Sequence, residues 1–107
     1  MVLQKNEENA VRQLKDLLQK KFRLLDFRIF GSKSRGDDSI YSDIDVMMEL
    51  EESDFEIESD IYDLIYDLNL ENNCLMSPTI FSRKELEEGP LSESPIYKTI
   101  IKEGVRF

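Results

Sequence analysis

Residues 25–50 read LDFRIFGSKSRGDDSIYSDIDVMMEL, and this stretch decides the fold. Apolar and charged residues alternate through its first part, a pattern that predicts a strand ending at Gly31. Its last part, 43–50, predicts a second strand with apolar residues on both faces near its middle. The connection between the two strands, 31–42, is 12 residues long and rich in glycine and serine, which is long for a hairpin turn. Long connections in compact domains are usually functional or disordered, so this one is the first place to look for a site.

Periodicity and turn-forming residues outside this stretch predict the rest of the fold. The predicted elements are helices over 6–20, 55–70 and 83–88, a third strand over 74–82, and a final helix that begins near Pro95 and stops at Gly104. Ser53 and Glu56 predict a capping box at the start of the second helix. Pro78 indicates that the third strand lies at a sheet edge or contains a bulge. The order of elements predicts an α/β fold, a single domain over 1–107 with a mixed sheet of at least three strands flanked by helices.

The composition excludes several classes of function. The chain has 107 residues, of which 14 are basic and 23 acidic, and a formal net charge of −9, which argues against nucleic acid as a partner. There is no histidine, so Ser-His-Asp triads and His-ligated zinc are excluded, and the single cysteine, Cys74, permits no intrachain disulfide. No signal-peptide pattern and no long apolar run occur, so we expect a cytoplasmic protein with no membrane as a partner.

Two carboxylates stand at the start of the second strand. Asp43 and Asp45 are separated by one residue, and such residues in a strand point to the same face with Cα atoms about 6.5–7 Å apart. Converging carboxylates favour a hard divalent cation, Mg²⁺ or Mn²⁺, which is usually held by one or two carboxylates together with substrate phosphates. We therefore predict that Asp43 and Asp45 are metal ligands and catalytic residues of a phosphoryl-type transfer.

The start of the connection contains residue types that bind phosphate. Gly31 lets the backbone approach a phosphate closely, and the hydroxyl of Ser32 adds a donor. Lys33 and Arg35 can neutralise phosphate charge, Arg35 in bidentate fashion. Each pattern alone is common in structural loops and strands, so a plain α/β domain with a chance motif stays open as an interpretation. Gly-Ser followed at this spacing by Asp-x-Asp is much more specific, and it predicts a metal-nucleotide site.

The pattern GS…RG…SDIDV within residues 31–46 resembles the signature of the polymerase-β nucleotidyltransferase superfamily. The length, the order of elements and the sequence 94–105 are similar to those of its minimal nucleotidyltransferases. The resemblance implies a small, single-domain polymerase-β-like nucleotidyltransferase fold with Mg²⁺ or Mn²⁺ as cofactor. It also implies a nucleoside triphosphate, first of all ATP, as the substrate, with transfer of a nucleoside monophosphate to a hydroxyl of a protein or small molecule.

The resemblance also assigns roles to particular residues. Gly31 and Ser32 would hold the β- and γ-phosphates, and Asp43 and Asp45 would ligate metal. The nucleotide-binding roles of Lys33 and Arg35 depend on the chemistry of their side chains more than on the motif.

The third strand departs from the family pattern. Active relatives usually supply a third carboxylate from this strand, but residues 73–82 contain no Asp or Glu. Some family members are antitoxins that work with a helical HEPN-domain toxin. The second hypothesis is therefore a catalytically weak or inactive, antitoxin-like interaction module that binds a HEPN-type partner. A domain this small has little surface of its own for an acceptor, which favours a protein partner or a homodimer.

Overall fold

The computed structural model describes residues 3–36 and 43–107, and helices and strands alternate along them. The elements in chain order are α1 (Lys5–Lys21), β1 (Leu24–Phe30), α2 (Ser32–Arg35), β2 (Ile44–Leu50), α3 (Phe55–Asn72), β3 (Met76–Ser82), α4 (Arg83–Glu88), a 3₁₀ turn (Pro90–Glu93), α5 (Pro95–Glu103) and β4 (Val105–Arg106). Each predicted helix and strand is present, with its ends within about two residues of the prediction, which is the usual uncertainty of helix and strand ends. Within the described residues, no helix combines the length and apolar character that crossing a membrane requires.

The described strands form one mixed sheet in the order β3-β2-β1-β4. β1 pairs antiparallel with β2 and with β4, whereas β2 and β3 are parallel. Parallel neighbours need a long crossover, and α3 provides it between β2 and β3. Pro78 lies in β3, at an edge of the sheet, where its missing N–H removes no hydrogen bond from the interior. The structure thus confirms the predicted α/β fold and the mixed sheet flanked by helices.

One face of the sheet is buried under α1 and α3 and contains the main hydrophobic core. Residues at alternate positions of β1 and β2 point to this face, because successive strand residues point to opposite sides. The buried residues of this core are Ala10, Val11, Leu14, Leu18, Phe27, Ile29, Ile44, Val46, Met48, Leu50, Ile61, Ile65, Leu68 and Met76. Full burial of one aliphatic or aromatic side chain is worth about 1.5–3 kcal/mol relative to exposure, so this face contributes most of the apolar stabilisation.

The opposite face is covered only in part, by α4 and α5. Its buried apolar cluster is smaller and consists of Met47, Phe81, Leu86 and Ile100. Tyr97 of α5 borders the cluster and meets Phe81 edge to face, with 5.0 Å between ring centroids. The start of β2 lies outside this cluster, since Asp43 is exposed and Asp45 is only partly buried.

Two local predictions need correction. Asp54, not Ser53, caps α3, and its side chain accepts a 2.9 Å hydrogen bond from the backbone N–H of Ile57. A carboxylate is a strong cap, and its charge also suits the positive end of the helix dipole. In addition, the connection predicted as a loop begins with one helical turn, α2, because glycines with positive φ stand at both of its ends. The remainder of that connection, 37–42, lies outside the described residues.

Candidate functional site

The antiparallel pairing of β1 and β2 brings the two parts of the sequence motif together. Phe30, the last residue of β1, pairs with Asp45 near the start of β2, so the turn at Gly31 lies beside Asp45. Gly31 has φ of 72°, a conformation that glycine adopts at low cost. A Cβ atom at this position would overlap Oδ2 of Asp45. The backbone conformation therefore favours glycine here, and a larger residue would also have to displace the Asp45 carboxylate from the turn.

Asp43 and Asp45 lie on the less covered face of the sheet, while Ile44 between them is fully buried on the core face. Oδ2 of Asp43 accepts a 3.0 Å hydrogen bond from Oγ of Ser77. Ser77 belongs to β3, where the parallel register pairs it with Asp45. Neighbouring strands thus bring two carboxylates and one hydroxyl to the same edge of the site.

The electrostatics of this pair favour a bound cation. Burial raises the pKa of Asp45, the negative charge of Asp43 raises it further, and the positive charge of Arg35 lowers it. Among the described residues, no group of three or more His, Cys, Asp or Glu side chains converges as a metal site. Two carboxylates are still the protein ligands with which Mg²⁺ is commonly held when substrate phosphates complete its coordination. Asp43 and Asp45 therefore fit a divalent cation that arrives with a phosphate-bearing substrate.

The two basic residues of α2 lie in different environments. Lys33 is 1% exposed, and its ammonium nitrogen lies 3.0 Å from Oε2 of Glu7 in α1. The other carboxylate oxygen of Glu7 accepts a 2.9 Å hydrogen bond from the backbone N–H of Gln4. This buried ion pair ties α2 to α1, so the geometry of Lys33 favours a structural role over the predicted contact with phosphate. Arg35 is exposed, and its charge acts on Asp45.

The turn itself is closed by two local hydrogen bonds. Oγ of Ser34 donates to the carbonyl oxygen of Gly31 at 2.8 Å, and the backbone N–H of Arg35 donates to the same carbonyl at 3.3 Å. Ser32 is partly buried and begins α2 directly after Gly31. The Asp45 carboxylate thus lies beside Gly31, the charges of Asp43 and Arg35 act on it, and Ser32 is the next residue along the chain from Gly31.

Two further polar residues lie on this face and are not among the site residues predicted from the sequence. Ser77 presents a hydroxyl beside Asp43, on the strand from which a third carboxylate was expected. Glu49 is 2% exposed, forms an ion pair with Arg83 and accepts a 3.2 Å hydrogen bond from the hydroxyl of Tyr97. Strand alternation from Asp45 would have assigned Glu49 to this face. The parallel crossover would have placed Ser77 there, had hydroxyls been considered as well as carboxylates.

A cavity of about 290 Å³ adjoins the Gly31 turn. Its lining residues are Phe30, Gly31, Arg35, Pro95, Ile96, Thr99, Ile100 and Glu103. Apolar walls with a few polar groups are the usual composition of a small-molecule site. The cavity therefore offers apolar surface next to the turn that is predicted to bind phosphate.

A mixed sheet that presents two carboxylates against a Gly-Ser turn defines a small α/β domain of the nucleotidyltransferase type. The family model for the nucleotidyltransferase domain matches residues 11–104 of this chain. The chain therefore belongs to the nucleotidyltransferase domain family. No curated protein matches the chain.

Solved structures with the same fold have low sequence identity to the chain. A chain from a crystal structure of a toxin-antitoxin with AMP-PNP is 20% identical, with a TM-score of 0.63 over 92% of this chain and 70% of that one. A protein described as a minimal nucleotidyltransferase is 17% identical, with a TM-score of 0.64 over 94% of this chain and 91% of that one. A protein described as a nucleotidyltransferase of Sulfolobus solfataricus is 20% identical, with a TM-score of 0.55 over 99% and 88% of the two chains. At these identities the likeness shows the fold.

Proposed function

We propose that the chain is a divalent-cation-dependent nucleotidyltransferase that uses a nucleoside triphosphate, first of all ATP. The observation that carries this proposal is the packing of the Asp45 carboxylate against the turn at Gly31. It brings a predicted metal ligand next to the backbone predicted to bind phosphate. Membership of the nucleotidyltransferase family supports the reaction class, and a structural neighbour crystallised with AMP-PNP supports ATP as the first nucleotide to test.

Each site residue has a defined part in this proposal. Asp43 and Asp45 hold Mg²⁺ or Mn²⁺ and are the catalytic residues. Gly31 and Ser32 bind the β- and γ-phosphates, and the exposed guanidinium of Arg35 offsets phosphate charge. A divalent cation bound here supplies positive charge that stabilises the negative charge on the phosphate oxygens during transfer.

The proposed reaction is a substitution at the α-phosphorus of the triphosphate. An acceptor hydroxyl oxygen forms a bond to the α-phosphorus, the bond from that phosphorus to the oxygen bridging to the β-phosphate breaks, and pyrophosphate leaves. The hydroxyl proton is lost to solvent or to a base brought by the acceptor, since β3 presents Ser77 rather than a carboxylate at the site. The net charge of −9 favours a hydroxyl of a protein or small molecule over one of a nucleic acid.

Nucleotide binding is tested by adding Mg²⁺ with AMP-PNP to isotope-labelled protein and following the backbone amide signals. We expect saturable, metal-dependent shifts at Gly31 and Ser32 and near Asp45. Asp45→Asn should weaken Mg²⁺-dependent binding at least tenfold. Asp60→Asn is the matched control, because this carboxylate is exposed on α3 and should leave binding unchanged. Absence of any response at millimolar ligand would overturn the nucleotide-binding proposal.

A second candidate function is an antitoxin-like module that neutralises a helical HEPN-type protein by binding alone. The composition of β3 favours it, because this strand has no carboxylate and the hydroxyl of Ser77 beside Asp43 cannot take up a proton at neutral pH. A toxin-antitoxin among the structural neighbours is compatible with such a role. Asp43→Asn separates the two functions when the chain is co-expressed with a HEPN-domain toxin that the wild-type chain silences. The enzyme proposal expects loss of silencing, whereas the binding module expects full silencing.

A further inference from the structure

The outward face of α3 carries an apolar stripe that no described element covers. Tyr62, Tyr66 and Leu70 recur at intervals of four residues and therefore lie on one face of the helix, and Phe55 lies on the same face two turns earlier. Their exposed fractions are 86% for Phe55, 50% for Tyr62, 65% for Tyr66 and 67% for Leu70. The core-facing side of the same helix is a different one, rotated by roughly a third of a turn from these residues, with Ile61, Ile65 and Leu68 buried. We call the four exposed residues the α3 stripe.

A row of carboxylates runs along one side of the α3 stripe. Asp63, Asp67 and Glu71 each follow a stripe residue by one position, which is a rotation of about 100° around the helix. All three are exposed, and none of them forms an ion pair with any residue of 3–36 or 43–107. The sequence of α3, FEIESDIYDLIYDLNLEN, contains six acidic residues and no lysine or arginine. The helix therefore presents an apolar band with a purely negative border.

We propose that the α3 stripe is a docking surface for an amphipathic helix of another protein, one with an apolar face bordered by lysine and arginine. Aromatic residues are enriched at the centres of protein interfaces, and two tyrosines form the middle of the stripe. The acidic row would pair with the basic border of such a helix and fix its orientation. The chemistry of the partner thus follows from the helix surface and does not depend on nucleotidyl transfer.

A second copy of the chain is a poorer occupant of this surface. It would bring another α3 with the same six carboxylates and no cation against the first. The acidic rows would then lack counter-charges, and like charges across an interface oppose association. The net charge of −9 adds to this repulsion.

The position of the stripe leaves the candidate catalytic site open. α3 packs through Ile61, Ile65 and Leu68 on the core face of the sheet, whereas Asp43 and Asp45 lie on the other face. A partner helix on α3 would therefore not cover the Gly31 turn. Failure of docking and failure of nucleotide binding can accordingly be measured as separate results.

The test uses a synthetic helical peptide with leucines on one face and lysines along its borders, titrated against the full chain by fluorescence anisotropy. Tyr66→Gln/Leu70→Gln should weaken binding at least tenfold, since it removes half of the apolar stripe while keeping good helix formers. Asp63→Asn/Asp67→Asn should weaken it about threefold at low salt, with the difference shrinking as salt is added. Leu25→Gln, at an exposed apolar position of β1, is the matched control and should bind like the wild type.

Three results would overturn the proposal. The first is equal affinity of the peptide for the stripe variant and the Leu25→Gln control. The second is equal binding of a peptide with glutamates in place of the lysines, since the charge argument would then be wrong. The third is a concentration-dependent dimer in sedimentation that Tyr66→Gln/Leu70→Gln abolishes, which would assign the stripe to a second copy. In every variant, unchanged Mg²⁺-dependent AMP-PNP binding shows that the fold is intact, and circular dichroism shows this independently of the proposed function.

Discussion

The side chains of β2 differ in burial and charge between the two faces of the sheet. On the core face, Ile44, Val46 and Met48 of β2 are fully buried under α1 and α3. On the other face, the alternate positions hold Asp43 and Asp45 at the open end and Glu49 at the covered end. One face is apolar throughout, while the other pairs a small apolar cluster with carboxylates. The comparison shows that stability is concentrated on one side of β2, which leaves the other side free to carry charge.

The carboxylates at the two ends of the second face lie in different electrostatic environments. Glu49 is buried but is compensated by Arg83 and by the hydroxyl of Tyr97. Asp45 is partly buried next to the like charge of Asp43, and both effects raise its pKa. A carboxylate compensated by an ion pair and a hydrogen bond has a structural role, whereas a carboxylate whose pKa is raised by burial and by a neighbouring carboxylate is a candidate ligand of a cation. The contrast between these two ends adds an electrostatic reason to the proposal of a cation site at Asp45.

The largest expected effect concerns Lys33, whose ammonium group joins the site to the α1 layer. Lys33→Met should lower the free energy of unfolding by about 3–5 kcal/mol, because it leaves the buried carboxylate of Glu7 without its counter-charge. Urea unfolding measures this loss. Lys33→Met/Glu7→Gln should recover most of it, since the amide oxygen can still accept the hydrogen bond from the N–H of Gln4.

The same double variant separates the structural role of Lys33 from the predicted contact with phosphate. If Lys33 acts only through Glu7, Lys33→Met/Glu7→Gln should bind Mg²⁺ and AMP-PNP within about threefold of the wild type. A loss of tenfold or more in a variant of restored stability would instead support direct contact of Lys33 with phosphate.

The sequence was sufficient for most of the fold, because periodicity and turn residues are local signals. The antiparallel pairing that puts Gly31 beside Asp45 joins two strands that are adjacent in the chain, so it could also be predicted from the sequence. The burial of Lys33 could not be predicted from the sequence, because it depends on Glu7, which lies 26 positions earlier in the chain and on a different element. Ser77 was missed for a related reason. Its place beside Asp43 is set by the parallel register of β3, and only the assembled sheet shows which side chain of β3 lies next to that carboxylate.

A smaller effect tests the difference between adjacent positions of β2. Ile44→Val should cost about 0.5–1.5 kcal/mol, because it removes one methylene group from a fully buried site. Asp43→Asn should change stability by less than about 0.5 kcal/mol, since the residue is exposed and asparagine can still accept from Ser77. Urea unfolding of both variants measures the contrast. Equal costs would show that the two faces of the strand do not differ as their burial indicates.

The smallest expected effect has the opposite sign, and it links stability to the proposed metal site. Asp45→Asn removes a partly buried charge that lies beside Asp43, so the apo protein should become slightly more stable at pH 7, with a slightly higher melting temperature. Because the pKa of Asp45 is higher in the folded than in the unfolded chain, the wild type is penalised only where the unfolded carboxyl has lost its proton. The gain should therefore be absent below the ordinary pKa of 3.8, appear as the pH rises above it, and stay constant beyond the folded pKa. Thermal unfolding in EDTA across this range measures the difference.

Added Mg²⁺ with AMP-PNP should then raise the melting temperature of the wild type and leave that of Asp45→Asn unchanged, because only the wild type keeps both carboxylates. A variant that melts like the wild type at every pH would show that Asp45 is not destabilised in the folded chain, and the electrostatic reason for a cation at this position would be lost.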